Sequence, residues 1–187
     1  KALYARISQA ISLMPALNGY GIGETLDETR NNAAEIFISS GLSRVLKINN
    51  VCSFDKLADC GISSQYTTMD AQIKDFPTTL LELNDTNIVA YEIKDPYLKA
   101  VGFETQNGES IALFYNPYCL LKSEETDDFV QPRICANFIY DLNGSKGPNT
   151  VGKDIGFISA LYPTDSVVVA PMPLSVNAQA EGVEWAQ

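Results

Sequence analysis

The order of hydrophobic periodicities along the chain predicts an α+β fold, an amphipathic N-terminal helix packed on a C-terminal antiparallel sheet. Three observations carry this expectation. Leu3, Ile7, Ile11, Met14 and Leu17 are spaced four, four, three and three residues apart, which sets them on one face of a helix. From Asn87 the pattern changes to short runs rich in β-branched and aromatic residues. Between two of those runs, Tyr97 to Thr105 and Ser110 to Tyr115, sits Asn107-Gly108, a dipeptide that signals a hairpin with a type I′ turn.

Taken in order, residues 1–17 form the first helix, with Arg6, Gln9 and Ser12 on its other faces. Pro15 lies near its end, and Asn18-Gly19 with Gly21 and Gly23 stop it. The pattern opens at Lys1 without an N-cap, so a longer helix is expected upstream. Thr25-Leu26-Asp27-Glu28 is a capping box that predicts the start of a second helix, with Ala33, Ile36 and Phe37 on its apolar side and Gly41 at its end. Leu42, Val45, Leu46 and Ile48 extend the apolar pattern toward Cys52, and a short helix is expected from Met69 to Lys74, before Pro77. Strands are expected at Ile88 to Ile93, in the two hairpin runs, from Ala136 to Asp141, from Ile155 to Tyr162 and from Ser166 to Ala170. An acidic insertion, Ser123 to Asp128, precedes Cys135, and the tail to Gln187 carries Trp185. The expected organisation is one domain over 1–187: helix to 17, a helix and loop region over 18–86, and sheet with tail over 87–187. A boundary near residue 86 is the alternative.

The chain has 187 residues, 45% hydrophobic and 19% charged, enough to bury a core and too apolar for disorder. A formal charge of −10 opposes nucleic-acid binding, which rewards clustered Lys and Arg. No histidine is present, which removes Ser-His and Cys-His nucleophile pairs, His-ligated zinc and imidazole acid-base catalysis. Carboxylate pairs remain available in principle, but no acid pair can be located, and no catalytic residue is assigned. The four cysteines, Cys52, Cys60, Cys119 and Cys135, lack the spacing of metal knuckles and read as disulfides. Of the three connectivities, Cys52 with Cys60 and Cys119 with Cys135 closes the two shortest loops; an oxidising, extracytoplasmic compartment follows. Four buried free thiols in a cytosolic domain are the competing account.

The most informative stretch is CANFIYDLNGSKGPNTVGKDIG, residues 135–156. It opens as a strand and turns into a loop in which Gly144, Gly147, Pro148 and Gly152 alternate with oxygen-bearing side chains. GPNTVGK matches the glycine and lysine spacing of a phosphate-binding loop, but Asp154 stands where Ser or Thr must hold Mg²⁺, and a strand follows in place of a helix. Nucleotide binding is therefore rejected. Asp141, Asn143, Asn149 and Asp154 have two readings: hard-oxygen ligands of a Ca²⁺ ion, or caps for the N-H groups of a glycine-rich turn. Capping is preferred, since two carboxylates are few for a strong calcium site, and no cofactor is expected.

The segment Asp141-Leu-Asn143-Gly144-Ser-Lys146-Gly147-Pro148-Asn149-Thr-Val-Gly152-Lys-Asp154 resembles the D-x-N-G-x-x-G-P-N-x-x-G-x-D signature of bacterial prepilin-type proteins. The layout is similar to that of the type IV pilin-like family, which includes minor pilins and type II secretion pseudopilins. The resemblance implies a non-catalytic structural subunit, in which residues 1–17 are the second half of a long helix whose apolar first half anchors the protein in the inner membrane and then packs against other subunits in a fibre. It further implies a periplasmic or cell-surface location and a head exposed to neighbours or an external ligand. The alternative is a secreted adhesin or ligand-binding module unrelated to pili, using aromatics such as Tyr115, Tyr118, Tyr162 and Trp185.

Overall fold

A computed structural model describes residues 2–18, 33–79, 82–83, 98–116, 133–162 and 168–171, with only the backbone described at 2, 14–18, 133–135, 161–162 and 168–171. The expectations for the capping box at Thr25, the strand at Ile88 to Ile93, the acidic insertion, Cys119 and the tail lie outside these residues.

Helix α1 spans Ala2–Asn18 and α2 spans Ala33–Ser40. On α1 the predicted face is buried at Leu3, Ile7 and Ile11, joined by Ala10, while Met14 and Leu17 lie on the helix backbone. Pro15 falls inside the helix and has no N-H to offer the Ile11 carbonyl. Helix α2 buries Ala33, Phe37 and Ile38, and Gly41 closes it by donating its N-H to the Phe37 carbonyl at 3.0 Å.

The strands are β1 (Ile48–Cys52), β2 (Gln65–Thr67), β3 (Ile73–Asp75), β4 (Val101–Thr105), β5 (Ser110–Tyr115), β6 (Arg133–Asp141), β7 (Ile155–Tyr162) and β8 (Val168–Pro171). Among the described residues, six form one sheet in the order β1-β4-β5-β6-β7-β8, with every neighbour antiparallel. β2 and β3 form a separate two-stranded hairpin. The α+β expectation therefore holds at the level of helices on an antiparallel sheet. β1 is an addition: its sequence, INNVC, is too polar to read as a strand, yet it takes the edge beside β4.

Two expectations are corrected. Met69 to Lys74 is not a helix; the chain turns with Ala71 at φ 64° and enters β3, which pairs Ile73 with Thr67. The cause is tertiary, because Thr67 is itself held by backbone hydrogen bonds from a distant loop. The β4–β5 hairpin forms, but its turn is not type I′. Gly108 donates its N-H to the Thr105 carbonyl at 3.0 Å, and Thr105 donates to Glu109 at 2.9 Å, enclosing a three-residue loop. Only Gly108, at φ 84°, is left-handed, as in a type I turn closed by a bulge residue. The dipeptide marked the turn, while the flanking Thr105 and Glu109 set its length.

Strand alternation sends Phe103, Ile111, Leu113 and Phe138 to one side of the sheet, where they meet Leu3, Ile7, Phe37, Leu42 and Leu46. Phe37 is fully buried there and stacks on Tyr115, with ring centroids 4.8 Å apart and planes at 11°. Ala112, Phe114, Ile139 and Phe157 face the other side and pack with Leu57, Ile62, Tyr66 and Leu83. Both faces are thus covered, which is why all six residues of β5 are buried. A disulfide joins Cys52 to Cys60 across Cα atoms 6.0 Å apart, as the loop-length argument preferred, and ties a short 3-10 turn, Leu57–Cys60, to the end of β1. None of the helices among the described residues is long and apolar enough to cross a membrane.

Candidate functional site

The loop between β6 and β7 is built around two buried carboxylates. Asp141 ends β6 and Asp154 immediately precedes β7; they are 8% and 3% exposed. Asp154 Oδ2 accepts the Asn149 N-H at 2.8 Å and its Oδ1 accepts the Thr150 N-H at 2.7 Å. Its own carbonyl accepts from the Leu142 N-H at 2.9 Å. Asp141 Oδ1 accepts from the Asn143 N-H at 3.0 Å, an Asx-type turn at the start of the loop. With its amide nitrogen facing the acceptors, Asn149 Nδ2 donates to Asp141 Oδ2 at 2.6 Å and to the Lys146 carbonyl at 3.3 Å, while its oxygen accepts from Ser63 Oγ at 3.3 Å. Asn149 occupies the left-handed region at φ 53°, and the Gly147-Pro148 peptide before it is cis.

The loop also docks on a neighbour. Thr67 of β2 donates its N-H to the Asn149 carbonyl, and Val151 returns one to the Thr67 carbonyl, both at 2.9 Å. Gly156 answers a steric need, because it pairs with Tyr140 across β6 and β7, and a Cβ there would lie 2.2 Å from the Tyr140 hydroxyl oxygen.

Three of the four residues put forward as ligands, Asp141, Asn149 and Asp154, therefore converge; Asn143 is exposed and contributes its backbone N-H and carbonyl. The converging oxygens receive N-H donors, whose positive ends occupy directions a cation would need. Chemically the arrangement is a set of caps for a loop rich in glycine. Among the described residues, no group of three or more His, Cys, Asp or Glu side chains could hold a metal ion. Burial raises the Asp141 pKa to about 6, helped by the adjacent Asp154 and opposed by the Asn143 N-H. Burial likewise raises that of Tyr140.

Two contributors were invisible in the local sequence pattern. Ser63 and Thr67 hold the loop from outside it and lie in a stretch with no marked periodicity. A second polar contact ties α1 to the hairpin: one Arg6 terminal nitrogen (Nη2) donates to Glu109 Oε1 at 2.6 Å and Oε2 at 2.7 Å, and Thr105 Oγ1 donates to Oε1 at 2.8 Å. Arg6 and Glu109 are 103 residues apart, so no local spacing could have joined them. Tyr115, named as a surface anchor, is instead core. Tyr162 lies in β7, and Tyr118 and Trp185 fall outside the described residues.

Comparison of the chain with protein-family models, with curated proteins and with solved structures returns no match.

Proposed function

We propose that the chain is the globular part of a structural subunit of a type IV pilus or a related pseudopilus, acting by assembly and not by catalysis. The observation that carries this reading is the behaviour of the prepilin-type signature. Asp141, Asn149 and Asp154 of DLNGSKGPNTVGKD interlock through one another and through backbone groups at Asn143 and Thr150, so the motif positions supply the bonds that close the loop.

The layout agrees with the same reading. An apolar stripe on α1 lies on an antiparallel sheet, and a disulfide suits an oxidising compartment. In the full-length protein an apolar helix preceding Lys1 anchors the subunit in the inner membrane and then contacts the other pilin or pseudopilin subunits. The head faces the periplasm or the cell exterior.

The test begins with the native gene upstream of Lys1, where a leader followed by roughly 20 apolar residues is expected. The full-length protein, expressed in its own host, should then appear in the sheared surface-fibre or periplasmic-pseudopilus fraction only when the prepilin peptidase is intact. A cleavable secretory signal with an apolar run of about 7–15 residues, and a protein free in the medium, would overturn the proposal and favour the secreted module.

A further inference from the structure

We infer that the interior beside the signature loop holds one tightly bound water that bridges Ser110 to Asp141. Ser110 starts β5 and pairs directly with Asp141 of β6, so their side chains leave the same face of the sheet. Its hydroxyl is buried at 1% residue exposure and meets no donor or acceptor among the described residues. Burying a hydroxyl without a partner forfeits its hydration with nothing in return, so a native fold rarely leaves one in that state.

A cavity of about 10 Å³ adjoins it, lined on its polar side by Ser63, Gln65, Ser110, Tyr140 and Asp141. That is about the room one water needs, and the lining offers the two to four polar partners such a water requires. Two loops close over the hydroxyl through glycines. A Cβ built on Gly61 would stand 2.6 Å from Ser110 Oγ, and one on Gly144 would stand 3.3 Å from it. Gly61 follows the disulfide-bonded 3-10 turn and Gly144 lies in the signature loop, so the water sits where two separate coverings of the sheet meet. A single oxygen there satisfies Ser110 and joins both coverings to β5 through one hydrogen-bonded centre.

The experiment is a pair of high-resolution crystal structures of the whole chain, one from EDTA and one from Ca²⁺. The expected result is one peak at hydrogen-bond distance from Ser110 Oγ and the Asp141 carboxyl, the same in both. No peak would overturn the inference. So would a peak found only with Ca²⁺ at ligand distances of about 2.3–2.6 Å, which would make the site a cation site. Ser110→Ala should abolish the peak; its persistence at full height would also overturn the assignment. Should that variant fail to fold, the wild-type protein in solution decides, since a long-lived water must give NMR cross-relaxation to the Ser110 or Gly144 amide and its absence would count against the site.

Discussion

On one side of the sheet, α1 and α2 press Leu3, Ile7 and Phe37 onto Phe103, Leu113 and Phe138. On the other, a short hairpin, a disulfide-bonded turn and the signature loop cover Ala112, Phe114, Ile139 and Phe157. The helices satisfy their own backbone internally, so their attachment is a matter of apolar area and shape. The loop side has little repetitive structure, and its backbone groups need individual partners, which Asp141, Asn149, Asp154 and Thr67 provide. One covering is held mainly by the exclusion of water, the other by a short list of directed bonds, and the two should fail differently.

The largest expected effect is on the helix side. Phe37→Ala removes a fully buried ring from its stack on Tyr115 and should cost about 3–5 kcal/mol in chemical denaturation. A loss below about 1 kcal/mol would mean that the helices contribute little to the core. Next, Asp154→Ala leaves the Asn149 and Thr150 N-H groups without their acceptors and should cost about 2–3 kcal/mol. Asp154→Asn keeps one oxygen and should recover roughly half of that loss. Equal losses in the two variants would show that one acceptor alone does not hold the loop.

A smaller effect is read against pH. The folded pKa of Asp141, about 6, lies above its ordinary 3.8, so the fold favours the protonated form. That contribution is complete below the unfolded value and is lost as pH rises through about 6. Asp141→Asn cannot ionise, so the variant should gain on wild type by about 1 kcal/mol between roughly pH 4 and 7, once the partial solvent access of the loop is allowed for. Parallel stability curves would remove the burial argument for this carboxyl. The smallest effect is none: Ca²⁺, then a chelator, should leave the thermal midpoint where it was. A rise with Ca²⁺ would return the carboxylates to a ligand role.

The same contrast explains what the sequence made legible. β5 and β7 were readable residue for residue, because SIALFY and IGFISALY are runs of β-forming residues bounded by turns. The α1 stripe was readable because burial at Leu3, Ile7 and Ile11 follows helical spacing. β2 and β3 were not, being three residues each and held in place by Val151 and Asn149 from a remote loop. The Arg6–Glu109 pair left no local trace for the same reason. At the candidate site, the loop's importance and the identities of its capping side chains were visible, whereas the partnership with Ser63 and Thr67 depended on tertiary position.

The place of β1 at the edge of the sheet bears on the order in which the chain can be completed. Made from its N-terminus, it releases α1, α2 and β1 before any part of β4, and Asn50 must wait for Glu104 to find its register. Until then the apolar stripe of α1 and the ring of Phe37 have no sheet to cover, and an early disulfide between Cys52 and Cys60 would restrain only a local loop. The segment from α1 to β1 is therefore made before the strands it packs on, and its apolar faces find their cover only when β4 and β5 follow.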